Sequence, residues 1–351
     1  MDDIFGRLIA FIPGDRVCID DIVFRWHHKA SGVLLFACSL IVAAIRYVGY
    51  PIDCCTEDIP TQVMEPYCLT KGTFIISQKH TNEDFIQTNY VPGLTDITVQ
   101  SYYQWMPFIL VFVGLCFKAP RYLWLYWEGG RMDTIVSFMN SPIYDEGEKN
   151  EWKKIRVDYF YSNQKRLNFY AYRYFFCEFL NLVNVLAQMY LMDSLLGGVF
   201  KTYGWEVYSF SSENEFDRVD PMALIFPKLT KCTFRGVGHS GTVIISDALC
   251  ILSINAVNEK IVLVLWIWYI VLGLSTVITL LTRVPLFFSK RIRAFTLQML
   301  MYNSHRIEAR EIMYASSIGD WFMLSQVGKN VGPRIFQELI VDLHAKTYHT
   351  A

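Results

Sequence analysis

Four stretches of this chain are apolar over about the length of a bilayer crossing, and that limits its fold more than any other feature. A hydrocarbon core takes roughly 20 helical residues, and inside it every backbone N–H and C=O must be satisfied within the protein. The first stretch, 30–50, is nearly charge-free until Arg46, which is close enough to the end to reach water. The second, 102–126, is crowded with aromatics and interrupted by Lys118, Pro120 and Arg121. Its first part is apolar enough to span, Pro120 marks a kink or the end of the crossing, and Tyr122 to Trp127 form an aromatic interface belt. The third, 172–195, carries Glu178, Asn181, Asn184, Gln188 and Asp193. The fourth, 261–282, is the cleanest, with Glu259 and Lys260 before it and Arg283 and Pro285 after it. Two clean spans and two polar ones describe a bundle with an interior rather than four independent lipid anchors. Composition agrees: 53% of the residues are hydrophobic and 19% charged, against about a quarter charged in a soluble domain.

Basic residues set the expected orientation. The segment 51–101 holds only Lys71 and Lys79 against seven acids, whereas 127–171 holds Arg131, Lys149, Lys153, Lys154, Arg156, Lys165 and Arg166. The tail 283–351 adds Lys290, Arg291, Arg293, Arg306 and Arg310. Segments 1–29, 127–171 and 283–351 are therefore expected in the cytosol, and 51–101 and 196–260 outside. The second outer segment is more basic, but four spans force it to the side of the first. No signal-peptide or lipidation pattern contradicts a cytosolic N-terminus. Cysteine agrees independently. Of nine, Cys54, Cys55, Cys68, Cys232 and Cys250 lie in the two outer segments, while the middle loop and the tail have none. An oxidising exterior and a reducing interior produce that partition. The outer cysteines are expected to form disulfides. Four of them allow three pairings, and Cys55 raises the number.

Other features bear on chemistry. Glu178, Asn181, Asn184 and Gln188 fall on one stripe of a helix, which suits hydrogen bonds between helices better than a pore wall. The adjacent His27 and His28 point in different directions on a helix, so they are read as interface anchors rather than joint metal ligands. Residues 332–345 form an amphipathic helix entered at Pro333, with Ile335, Phe336, Leu339, Ile340 and Leu343 on one face. GxSxG, P-loop and HExxH patterns are absent, and the cysteines lack CxxC spacing. The chain is thus expected to be no enzyme and to need no metal or cofactor. A net charge of −1 suggests no nucleic-acid partner. Neither outer segment contains an N-x-[ST] glycosylation sequon: Asn82, Asn89 and Asn214 are each followed by the wrong residue.

A series of short motifs then carries a resemblance. The run Tyr102, Tyr103, Gln104, Trp105 is followed by "PRYLW" (120–124), "WEGGR" (127–131), "NSPI" (140–143), "FPKLTKCTF" (226–234), "NAVNEKI" (255–261) and "IGDWF" (318–322). Together with "VCIDDIVFRWHHKA" (17–30) and "YPIDC" (50–54), this resembles the innexins, the invertebrate gap-junction proteins, over essentially the whole chain. The N-terminal motifs look like insect members, and a virus-carried insect-like innexin would show the same pattern. Met106 stands where the family usually has Val, Cys55 is an additional cysteine, and the tail is short.

The resemblance implies an all-α, four-helix membrane bundle with cytosolic termini, two disulfide-stapled outer loops and a helical cytosolic domain. It implies rings, octameric in the family, around a pore in the plasma membrane, docking onto a ring in the neighbouring cell to make a gap junction. Other innexins are possible co-subunits. It implies disulfides Cys54–Cys250 and Cys68–Cys232, with Cys55 left over. It also places Met1, Asp2, Asp3, Ile4 and Phe5 in a funnel at the channel mouth, where a ring multiplies each carboxylate. The rival from another class is a tetraspanin-like adaptor, which calls for a CCG triplet in the large outer loop. Here Cys54 and Cys55 lie in the first loop and Thr56 follows. Connexins call for three closely spaced cysteines per outer loop, which Cys232 and Cys250 do not provide.

Overall fold

The computed structural model describes residues 17–56, 59–78, 95–140, 146–164, 166–212, 221–237, 240–301 and 305–349. Met1, Asp2, Asp3, Ile4, Phe5 and most of "NSPI" lie outside them. Among the described residues, four helices are long and apolar enough to cross a membrane: α1 (Ile22–Tyr47), α3 (Met106–Glu128), α6 (Asn168–Leu195) and α9 (Ser253–Phe288). Three of them begin before the apolar stretch visible in the sequence. Only 33–39% of the apolar window of each is buried within the chain. The remaining surface suits lipid or other protein.

The chain divides into two compact units. One comprises 31–116 and 184–273. It contains β1 (Asp53–Cys55), α2 (Thr61–Lys71), β2 (Thr73–Gln78), β3 (Thr95–Gln100), α7 (Phe200–Ser212), α8 (Pro221–Ile225), β4 (Leu229–Val237) and β5 (Val243–Ile251). The five strands make one antiparallel sheet in the order β1-β5-β4-β2-β3. The expectation of an all-α chain is corrected here: the fold is mostly helical, with this sheet added. In β5, Ser246, Ala248 and Cys250 are buried while Val243, Ile245, Leu249 and Ile251 are exposed. Small residues turn inward, Ala248 directly across from Cys232, and the outward face is apolar except for Asp247 at its centre. Helix segments of the same unit pack closely. A Cβ on Gly204 of α7 would sit 2.2 Å from the Trp266 ring of α9, so only glycine allows the approach.

The other unit comprises 1–30, 117–183 and 274–351. It holds α4 (Arg131–Asn140), α5 (Glu146–Ser162), α10 (Lys290–Leu300), α11 (Arg306–Ala315), α12 (Ile318–Asn330) and α13 (Pro333–His349). Its core is aromatic. Tyr174 of α6 stacks on Phe24 at 5.6 Å and meets Trp124 at 5.1 Å and Phe322 at 4.9 Å. On α13, Phe336, Leu339, Ile340 and Leu343 are buried and Ile335 packs beside them.

Local chemistry explains several of the motifs. In "WEGGR", Gly129 and Gly130 both have positive φ, +63° and +74°, which end α3. The Glu128 carboxylate then accepts from the N–H groups of Gly130 and Met132, capping the start of α4. In "IGDWF", Ser317 and Asp320 form a capping box that starts α12. A Cβ on Gly319 would fall 2.2 Å from the Leu167 carbonyl carbon. Gly319→Ala must therefore push α12 off the start of α6. The expected cost is about 1–3 kcal/mol or more, read as a lowered Tm of the purified protein, with Gly332→Ala, which meets open space, as the neutral comparison.

Candidate functional site

Two constructions stand out, one in each unit. In the sheet-bearing unit, Cys54 of β1 is bonded to Cys250, its direct partner across β5, with Cα atoms 4.1 Å apart. Cys68 of α2 is bonded to Cys232 of β4, with Cα atoms 5.8 Å apart. The bridges span 196 and 164 residues, and each joins the segment after α1 to the segment before α9. The sulfurs of Cys54, Cys68 and Cys250 lie within 4.8 Å of one another. All three are consumed in disulfides, so this cluster offers no thiolate to a metal. Cys55 is exposed and unbonded, because strand alternation turns it away from Cys54.

The Tyr102–Trp105 run lies just below the bridges. Tyr102 and Tyr103 donate their hydroxyls to the carbonyls of Ile225 (3.1 Å) and Cys68 (3.4 Å). The Gln104 amide donates to Thr70 O at 2.9 Å, and Gln104 O accepts from Arg46. Three consecutive residues thus tie α2, α8 and the end of α1 to the start of α3. Trp105 is exposed beside Phe108, an arrangement suited to a membrane interface. The motifs "FPKLTKCTF" and "NAVNEKI" meet next to it. Asn255 donates to Pro227 O at 2.8 Å, Lys228 pairs with the buried Glu259 at 3.2 Å, and Tyr203 donates to Glu259 O at 3.1 Å.

In the other unit a charge network grips residues 18–21. The Cys18 backbone is held in both directions by Asn330: its N–H donates to Oδ1 at 2.6 Å, and its carbonyl accepts from Nδ2 at 2.7 Å. Asp20 is buried between His28, at 3.1 Å, and Arg121. Asp21 accepts from Arg283 and from Lys329, the latter at 2.6 Å, and its N–H donates to the Tyr174 hydroxyl. Arg283 also grips Glu178 through two bonds, 3.0 and 2.6 Å. Three carboxylates thus face three permanent cations, the balance that buried charges require. Burial alone would raise the Asp21 pKa, but Arg283 and Lys329 outweigh it and hold the carboxyl below its usual range. Its stabilising contribution is complete above that range and is lost only as pH falls through the lowered value.

His27 is buried too, with Nε2 2.7 Å from Thr276 Oγ1. The pair read as interface anchors is therefore drawn into the protein. Of the polar stripe on α6, Glu178 serves the network, while Gln188 donates to Asn184 at 3.2 Å. Pro120 sits inside α3, which continues past it to Glu128. Sequence reading missed the network because Asp20, Asp21 and Arg283 look like ordinary flanking charges. The one signal was Glu178 inside an apolar run.

These features define a multi-span membrane protein whose extramembrane segments are covalently locked together. The profile of the innexin family matches residues 20–347. Innexin inx2 of Drosophila melanogaster is 43% identical over 349 residues, covering 98% of this chain and 95% of that protein. Innexin inx2 of Schistocerca americana is 42% identical, covering 99% and 98%, and innexin shaking-B of Drosophila melanogaster is 39% identical, covering 99% and 96%. The chain belongs to the innexin family. It is a plasma-membrane gap-junction channel subunit and not an enzyme.

Arg283 serves two carboxylates, whereas Glu178 serves one cation that keeps a second partner. Arg283→Gln is therefore expected to cost about 3–5 kcal/mol, the usual penalty for stranding buried charge, and Glu178→Gln clearly less. Thermal unfolding of both variants in one detergent gives the ranking; equal losses would mean that the network does not centre on Arg283.

Proposed function

We propose that this chain forms a large-pore ring that works as a hemichannel and, by docking with a ring on an adjacent cell, as an intercellular channel for ions and small molecules. The family match over nearly the whole chain carries the reading. An octamer is the ring size the family suggests, homomeric or shared with other innexins. In this reading 1–29, 127–171 and 283–351 are cytosolic, 30–50, 102–126, 172–195 and 261–282 cross the membrane, and 51–101 and 196–260 face outside. The locked sheet then presents Val243, Ile245, Leu249 and Ile251, with Asp247 between them, to protein neighbours. Purified rings in a planar bilayer should conduct and pass small dyes. Well-assembled particles that stay silent would remove the channel reading.

The sequence supports docking through what the outer segments lack: no sequon, hence no bulky glycan to hold two rings apart. Paired cells expressing only this chain should show junctional conductance. A sequon engineered near Asn214 should abolish it while sparing hemichannel current. Silent pairs with the unaltered chain at the surface would mean that it docks only beside another innexin or not at all.

The grip on residues 18–21 supports a fixed departure point for the N-terminal segment, with Met1, Asp2, Asp3, Ile4 and Phe5 narrowing the cytosolic mouth. Repeated carboxylates there concentrate cations, moderately, because physiological salt screens beyond about 8 Å. Asp2→Asn with Asp3→Asn should move reversal potentials toward lower cation selectivity, most visibly at low salt. Unchanged selectivity at low ionic strength would place the charge-setting residues elsewhere.

A further inference from the structure

The polypeptide leaves α9 at Phe288, breaks at Ser289 and starts α10 at Lys290. On α10, Arg293, Ala294 and Leu297 are buried in the core of their unit. Ile292, Phe295 and Met299, at spacings of three and four residues, are instead 38%, 54% and 53% exposed. Phe288, one turn earlier, is 87% exposed. A helix with one face already covered and an apolar row on the other needs a second apolar environment.

Beside that row lies a cleft of about 900 Å³ between α10 and α11. Arg291, Arg306 and Arg310 line it together with Phe295, Ile307 and Tyr314. Among the described residues that line it, the one carboxylate is Glu311, 2.5 Å from His344 Nε2. The local field is positive: a hydrogen bond from Arg291 and the nearby Arg310 outweigh a small burial effect and hold the Tyr314 hydroxyl below the ordinary phenol range. Lys290 donates to Tyr314 O at 2.6 Å and ties the two helices together. A soluble anion would use the arginines and leave Phe288, Ile292, Phe295 and Ile307 in water. A lipid uses both. Basic residues within a turn or two of a membrane helix also meet the negative surface of the cytosolic leaflet.

We propose that this cleft binds an anionic phospholipid of the leaflet at the Phe288 end of α9. The phosphate-bearing headgroup sits among Arg291, Arg306 and Arg310, and the apolar row of α10 lies at the acyl boundary as an interfacial helix does. The proposal rests on α9 crossing the membrane with Phe288 at its cytosolic end. It does not depend on conduction or docking, so its test reads neither.

The full-length protein in neutral detergent is titrated with a fluorescent short-chain phosphatidylinositol bisphosphate. Phosphatidylcholine of the same chain length is the control, and soluble inositol trisphosphate the competitor. The anionic lipid should bind well above phosphatidylcholine and above the soluble headgroup. Combining Arg291→Gln, Arg306→Gln and Arg310→Gln should weaken it about fivefold per arginine, on the order of a hundredfold in all. Phe295→Ser with Met299→Ser should weaken the lipid and leave the soluble headgroup unchanged. If the triple variant fails to assemble, Arg310→Gln alone, expected to lose about fivefold, supplies the comparison. Wild-type affinity in the arginine variants would overturn the site. Equal binding of lipid and soluble headgroup would make it a soluble-anion site. Rings that fall apart in the Phe295→Ser, Met299→Ser variant with lipid binding intact would assign the apolar row to a neighbouring subunit.

Discussion

A peptide group inside hydrocarbon has no water to bond, and the four long helices are the answer to that constraint. Once the backbone is closed on itself, polar side chains in the same helices need partners of their own. Several find them in pairs: Ser39 donates to Pro107 O at 2.9 Å, Trp268 donates to Ser31 Oγ at 2.9 Å, and Arg283 grips Glu178. Each pair fixes the rotation of one helix against another, since apolar contacts alone permit sliding in lipid. The charge network adds three cations and three carboxylates to this scheme, so the helices meet there in one register.

The motifs that identify the family serve backbone geometry more than surface chemistry. Glycines at 129, 130 and 319 permit a left-handed turn or a contact too close for a side chain. The paired tyrosines at 102 and 103 act as hydroxyl donors to the main-chain carbonyls of Ile225 and Cys68. Such residues tolerate little replacement because the group they satisfy is main chain and cannot itself be exchanged.

The existence and type of the four long helices were legible in the sequence, because hydropathy reports burial over twenty residues at a time. Their ends were less so. Helix α9 starts at Ser253, and its first turns carry Asn255, Asn258 and Glu259, which read as loop although all three are buried. Likewise α1 starts at Ile22, with polar His27 and His28 inside the protein. Hydropathy averages a residue's own preference and is blind to a partner such as Thr276 or Asp20. The sheet escaped notice for a different reason. In β5 small residues face inward and large apolar ones outward, so the alternation that marks a strand runs opposite to the usual rule. The inter-loop cysteine pairing follows from no spacing rule; strand register across β1 and β5 brings Cys54 to Cys250.

The long span of the two bridges has a consequence for how the protein is made. Cys54 and Cys68 leave the ribosome well before their partners, by 196 and 164 residues. At about 5–20 residues per second, the earlier thiols wait roughly 10–40 s for Cys250 and Cys232 to be synthesised. On the proposed topology they wait in the oxidising lumen, beside the third thiol Cys55, while α3 and α6 are being inserted. During that interval every available pairing is wrong, because Cys54, Cys55 and Cys68 can bond only to one another. Any bond formed in that interval must be undone by thiol–disulfide exchange before the native bridges close, which ties the yield to the redox conditions of the compartment as well as to the stability of the finished fold.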